Sequence, residues 1–319
     1  MSFQIIGTGS AYPAASITND DISKFVDTSD EWISTRTGIR SRRLAWDETV
    51  SDYAVHAAQG ALENAGTKPE ELDLIICATA RGEFLTPSLA CVVQSRLGAG
   101  CPAFDINAAC SGFLYALDAA EGWFARGRAS RVLVVAAEQM SELVNWNDRS
   151  TCVLFGDGAG AAVLAPGEGL QSICIHAKGS TEELRIACAQ GNSPFAKPRE
   201  NSPFLQMDGK GVYKFAVSAM CHDLEQAIEQ AGLSQEEIDL VLPHQANIRI
   251  IETAIHRLNI PAERYRTNID RYGNTSAASI PILLDELNRA GELRPGMMLA
   301  LTAFGGGLTS GACVIRWTK

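Results

Sequence analysis

The chain has 319 residues, 46% of them apolar, with a formal net charge of −10. That much apolar material can bury one large domain or two packed halves, while the acidic balance disfavours nucleic acid or an anionic membrane as the main partner. The nine cysteines are scattered, with no C-x-x-C pair, which argues against a disulfide scaffold or a zinc site. No apolar run is long enough to span a bilayer. The opening "MSFQIIGTGS" lacks the basic region and long apolar stretch of a signal peptide, so a soluble cytoplasmic protein is expected.

In chain order, "TSDEWISTRTGI" (28–39) predicts a short helix, with Thr28 and Glu31 at capping-box spacing and a stop at Gly38. Trp32 and Arg36 are four residues apart, on one face. Such a pair can hold a base and a phosphate, or simply pack ring against guanidinium. Ala54, Ala57, Ala58, Ala61, Leu62 and Ala65 recur at helical spacing, and the strand "LDLIICATA" follows. "CPAFDIN" then reads as a strand and "FLYALDAAEGWFARG" as a helix. Cys110 sits at their joint, where a cysteine is either a small inert buried residue or a nucleophile. A helix start offers free N–H groups and partial positive charge, which favour a thiolate, and small neighbours leave room for a substrate. "GDGAG" is followed by the strand-like "AAVLAP", which excludes a dinucleotide-binding turn. "GNSPFAKPRENSPF" (191–204) reads as a surface loop.

Further on, Met220, Leu224, Ala227, Ile228 and Ala231 mark a helix leading to the strand "IDLVLPHQA". His244 stands at that strand's exit, with Asn247 opening the next helix, and reads equally as a functional residue or as a loop histidine bonded to backbone. Of the other histidines, His56, His222 and His256 fall in helical patterns, and His176 follows a short strand with no evident partner. Asn274 in "YGNTS" reads equally as a turn residue or an N-cap. The glycines of "FGGGLTSG" either let backbone N–H groups approach a substrate oxygen or form tight turns.

These elements repeat. "ALENAGTKPEELDLII" (61–76) and "AIEQAGLSQEEIDLVL" (227–242) share eight of sixteen positions at an offset of 166. A weaker echo, at an offset of 164, sets "ACSGFLYALDAAEGWFARG" against "GNTSAASIPILLDELNRAG" and so places Cys110 opposite Asn274. Strands alternating with helices predict mainly parallel sheets in two α/β halves around a pseudo-two-fold axis. Sites in such sheets gather at strand carboxyl ends, where Cys110, His244 and Asn274 all fall.

Together "DTSDEWISTRTGI", "PAFDINAACSGF", "LFGDGAGA", "LPHQANIRII", "RYGNTSAASIP" and "AFGGGLTSGA" resemble the β-ketoacyl-acyl-carrier-protein synthase III family of the thiolase-like superfamily, in order and over essentially the whole chain. The resemblance implies a duplicated five-layered αβαβα sandwich, with halves at 1–167 and 168–319, in a homodimer. It implies acyl transfer: Cys110 takes an acyl group from an acyl-coenzyme A primer, and condensation with malonyl-acyl-carrier protein follows. A related acyltransferase of secondary metabolism, or a non-catalytic thiolase-fold binding protein, is the alternative. His244 and Asn274 would complete a Cys-His-Asn triad, and the N–H groups of Cys110 and Gly306 would form the oxyanion hole. No metal or redox cofactor is implied.

By the same resemblance Trp32, Arg36, Arg149, Tyr213 and Asn247 contact coenzyme A. Lys214, Arg249, His256 and Arg257 form a carrier-docking face, the last three recurring along one helix. Thr86, small where short-primer members often carry an aromatic ring, would reach an acyl pocket across the dimer. Elongating relatives use two histidines. Degradative thiolases carry a second cysteine in a Cys-x-Gly context, which Cys313, followed by Val-Ile-Arg, does not match.

Overall fold

The structure, a computed structural model, describes residues 2–188, 191, 193–195, 197 and 202–319. Of the loop expected at 191–204, residues 192, 196 and 198–201 lie outside the described residues, and the remainder carries no helix or strand.

The first sheet has five strands in the spatial order Ser2–Ala11, Asp157–Gly167, Val132–Gln139, Leu74–Ala78 and Ala103–Ile106. The last three run parallel, and Asp157–Gly167 is antiparallel to both its neighbours. Leu74–Ala78 is buried along its whole length, as an unbroken apolar run in the middle of a two-sided sheet requires. "GDGAG" opens the long antiparallel strand and carries no helix. At Gly160 an added Cβ would lie 2.6 Å from the backbone N of Ile282, so glycine lets the helix Ser279–Arg289 press onto the sheet.

The second sheet repeats the plan, with the order Leu240–Pro243, Met298–Gly305, Thr309–Arg316 and Leu170–Ala177 and the same pattern of directions. Where the first sheet has its outer strand Ala103–Ile106, the second keeps a single parallel bridge between Val241 and Tyr265. The helices Gly112–Ala125 and Ser279–Arg289 lie between the sheets, while Val50–Ala65 and Gly209–Gln230 cover the outer faces. Five layers result. The main core, from Phe3 and Phe113 to Leu301 and Trp317, fills the space around the central helices.

The internal repeat extends to local detail. Glu71 accepts from the N–H of Lys68 at 2.7 Å, and Glu237 from that of Ser234 at 2.8 Å, each closing a short 3-10 turn before its strand. The second echo has a different register from the one the sequence suggested. Asn107 Oδ1 accepts from the N–H of Ala109 at 3.2 Å, and Asn274 Oδ1 from that of Ser276 at 2.8 Å. Ala109 and Ser276 both hold positive φ, 47° and 49°. The offset here is therefore 167, not 164, and Asn274 matches Asn107 while Cys110 matches Ala277. Few side chains are identical across this stretch, so only backbone geometry fixes the register.

Candidate active site

Cys110 lies in a 3-10 turn, Ala109–Ser111, that feeds the central helix Gly112–Ala125. The chain reverses sharply at Ala109, which places Cys110 against the end of the strand Met298–Gly305 from the other half. The approach is close: a Cβ on Gly305 would sit 2.6 Å from Cys110 N and 3.2 Å from Cys110 Cβ. Neither Cys110 nor Gly306 makes a backbone N–H hydrogen bond to the described residues, and both residues line the same cavity.

His244 follows the strand Leu240–Pro243 and is held by its own N–H to Thr302 O at 2.8 Å. Its ring packs edge-on against Phe304, with centroids 5.3 Å apart. Nδ1 is 2.7 Å from Ser279 Oγ, which also accepts from the N–H of Gln245 at 3.4 Å. Ser279 thus fixes the ring through Nδ1, and Nε2 is the ring nitrogen left for a ligand. Nε2 has no partner among the described residues. Burial holds the imidazole well below its ordinary 6.5, at about 3, so it is neutral near pH 7. Asn274 is fixed by its backbone, donating to Leu154 O at 2.9 Å and accepting from Gly156 N–H at 3.0 Å. With Oδ1 given to Ser276, its amide NH2 is the group left for a ligand.

Two further residues, Glu138 and Ser276, complete the centre, and the sequence reading singled out neither. Glu138, at the end of the buried strand Val132–Gln139, accepts from Ser276 Oγ at 3.0 Å and from Ala80 N–H at 3.0 Å. Burial pushes its carboxyl up to about 7. A lone acid in the apolar run "VLVVAAEQ" was the available signal. Cys110 keeps some surface toward the cavity, yet protein surrounds the sulfur. Burial pushes the thiol up to about 12, the Ser276 hydroxyl works the other way, and the Glu138 charge adds to the rise. Position at a helix start argued for a thiolate; burial overrides it, and the resting pair is thiol and neutral imidazole.

Cys110, His244 and Asn274 line one cavity of about 1310 Å³. Trp32, Arg36, Tyr213 and Asn247 line its outer part. Trp32 belongs to the helix Asp30–Thr37, whose N-cap is Ser29 and not Thr28: Ser29 Oγ accepts from the N–H of Trp32 at 3.1 Å. Arg36 lies 4.7 Å from the Trp32 ring centre and Arg149 5.3 Å, so both guanidiniums flank the indole. Tyr213 bonds Thr253 through its hydroxyl at 2.7 Å, and Asn247 caps the helix Ile248–Ile255.

Lys214, Arg249, His256 and Arg257 are all exposed. Arg249 donates to Thr35 O at 3.2 Å, tying that helix to the Trp32 helix. The helix ends at Ile255, so His256 is its cap and Arg257 lies beyond it; the three do not recur along one helix as the spacing suggested. Thr86 is exposed and does not border the cavity of its own chain, whereas Phe84 and Leu85 do. Cys313 is buried within the strand Thr309–Arg316, away from the cavity lining.

Two α/β halves sharing one central layer of two helices, with a cysteine turned into a deep cavity at the start of one of them, define a thiolase-like condensing enzyme. Comparison with known proteins narrows the class. The family described as 3-oxoacyl-[acyl-carrier-protein] synthase III matches residues 104–180, and its C-terminal counterpart matches 228–317. The β-ketoacyl-[acyl-carrier-protein] synthase III of Aquifex aeolicus is 49% identical over 321 residues, covering 99% of this chain and all of that one. The crystal structure of the synthase III from Aquifex aeolicus VF5 superposes with a TM-score of 0.93, at 48% identity over 99% of this chain and 100% of that one. The priming β-ketosynthase of the R1128 polyketide pathway gives 0.94 at 36% identity, covering 100% and 97%. The chain belongs to the 3-oxoacyl-[acyl-carrier-protein] synthase III family.

Proposed function

We propose that this chain joins an acyl-coenzyme A primer to malonyl-acyl-carrier protein, the initiating condensation of type II fatty acid synthesis, as a cytoplasmic homodimer. The observation that carries the reading is the convergence on one cavity of Cys110, a neutral His244, the free amide of Asn274 and two unengaged backbone N–H groups.

In the first half-reaction the Cys110 sulfur attacks the thioester carbonyl. The oxyanion is received by the N–H groups of Cys110 and Gly306, and coenzyme A leaves carrying the thiol proton. The exchange is proton-neutral, which suits a cysteine that rests as a thiol. In the second, malonyl-carrier protein loses carbon dioxide. The enolate oxygen is met by the amide of Asn274, left free by the bond from Ser276 N–H to its Oδ1, and by Nε2 of His244 in the tautomer that carries its proton there. The enolate carbon attacks acyl-Cys110, and the departing thiolate takes up one proton. Each well-placed donor of this kind is typically worth roughly 2.7–4 kcal/mol. No step calls for a metal or redox cofactor.

Trp32 with Arg36 and Arg149 would hold the adenine and phosphates, and Tyr213 and Asn247 would line the pantetheine channel. Lys214, Arg249 and Arg257, with His256 among them, put exposed positive charge on an otherwise acidic protein, which fits an acidic carrier. Thr86 would border a partner's acyl pocket, leaving depth for primers longer than acetyl. Each methylene newly buried there gains about 0.8 kcal/mol.

The test is a panel of acetyl-, hexanoyl- and decanoyl-coenzyme A with malonyl-carrier protein, with products identified by mass, for wild type and Thr86→Phe. A 3-ketoacyl-carrier protein is expected, with Thr86→Phe narrowing the range toward acetyl. Acyl transfer to another acceptor without condensation would instead indicate a specialised pathway.

A further inference from the structure

On the far side of the second sheet, away from the catalytic cavity, three side chains form a cluster that the reaction does not use. His176 is next to last in the edge strand Leu170–Ala177, and His222 and Asp223 lie on the outer helix Gly209–Gln230 packed against it. A ring nitrogen of His176, a ring nitrogen of His222 and a carboxylate oxygen of Asp223 all lie within 4.8 Å of one another. His176, which showed no partner in the sequence, stands 3.0 Å from Gln226 Oε1 and 3.8 Å from Asp223 Oδ1. Gln226 is one helical turn beyond His222 and shares its face. Asp223 is only 1% exposed, yet its Oδ2 has no hydrogen-bond partner. A buried carboxylate oxygen left unpaired is costly, commonly 1–3 kcal/mol or more, and a cation is one group that removes the penalty.

We propose that His176, His222 and Asp223 bind a divalent metal of the zinc class, with Gln226 Oε1 or water in the fourth position. Two imidazoles and one carboxylate suit zinc, cobalt or nickel, whereas calcium and magnesium prefer all-oxygen sets. Zinc–nitrogen bonds of about 2.0–2.1 Å in a tetrahedron draw ligand atoms closer than they stand here. His222, being exposed, supplies that movement and the entry path. The absence of C-x-x-C pairs, which argued against zinc, concerns thiolate sites only. A bound ion would clip the outer helix to the edge strand. That strand pairs through His176 with Ser310, four residues beyond Gly306.

The test uses the full chain, stripped by chelator and titrated with zinc chloride alone. Wild type is compared with His222→Ala and Asp223→Asn, so that zinc on the cysteines is a common background. Wild type should hold one equivalent more than either variant. Loss of a ligand should weaken that site by more than about tenfold, the lower bound for even outer-shell partners. Zinc should raise the thermal midpoint of wild type more than that of His222→Ala, whose exposed position keeps the fold intact. Cobalt in the site should show ligand-field bands that are lost in His222→Ala, without a thiolate charge-transfer band. Equal zinc stoichiometry and affinity in wild type and His222→Ala would overturn the proposal, as would cobalt bands of thiolate type that His222→Ala leaves unchanged.

Discussion

Gly305→Ala probes the one contact on which the proposed oxyanion hole depends. Gly305 has no left-handed backbone angle, so alanine is allowed there conformationally, and only the space occupied by the new methyl matters. That methyl would stand 2.6 Å from Cys110 N, against about 3.4 Å for ordinary contact, so the turn at Cys110 has to move by roughly 0.8 Å. Overpacking of this kind costs roughly 1–3 kcal/mol of stability. A donor displaced by most of an ångström loses its bond to the developing oxyanion, and such a loss lowers the rate roughly 10²–10³-fold. The assay is single-turnover acylation by an acyl-coenzyme A, followed by intact mass. A parallel alkylation of Cys110 with iodoacetamide serves as control, since it needs no oxyanion hole. Acylation should fall by two orders of magnitude or more, and alkylation far less. Acylation within about threefold of wild type, in a folded protein, would refute the placement of the donors.

Three further outcomes follow from the site. His244→Ala and Asn274→Ala should lose condensation heavily and acylation much less, because the acylation donors are backbone groups; variants that fail to acylate but decarboxylate malonyl-carrier protein normally would reverse the roles. Glu138 should tilt stability with pH: raised from 4.5 to about 7, it keeps a proton in the folded chain that the unfolded chain has lost, so stability falls as pH rises through that window, by on the order of 3 kcal/mol in all. Urea unfolding of Glu138→Gln should lack that slope and leave the opposite one from His244, whose depressed value costs stability as pH falls below 6.5; identical slopes in both proteins would be contrary. Arg249→Glu should weaken use of malonyl-carrier protein more than use of acyl-coenzyme A, with the difference shrinking at high salt, and equal losses at every salt would remove the docking role.

What the sequence made legible was whatever has a period or a cap. The alanine face of Val50–Ala65 and the strand-to-helix joint at Cys110 both announce themselves in local chemistry. What stayed hidden depends on contacts between distant segments. The true match of Asn107 with Asn274 rests on two positive-φ turns whose side chains differ. Ser29 rather than Thr28 caps the Trp32 helix, because both can cap and only the backbone path chooses. The state of Cys110 followed the same logic: the helix start was visible, but the burial that outweighs it needs distant segments, Gly305 and Ser276 among them, packed around the turn. Arg257 was placed on a helix that stops two residues earlier, since no glycine or proline marks that end. Glu138 was overlooked because one acid in an apolar strand has no partner visible in sequence. Its partner Ser276 lies 138 residues away.

The central claim is that Cys110 carries the acyl group between two half-reactions. Brief exposure to an acyl-coenzyme A, followed by peptide mass mapping, tests it most directly when malonyl-carrier protein is then added. The account predicts one acyl group, on the peptide containing Cys110, discharged on that addition as 3-ketoacyl-carrier protein. Label found mainly on Cys101 or Cys152, or acyl-Cys110 that malonyl-carrier protein does not discharge, would contradict it.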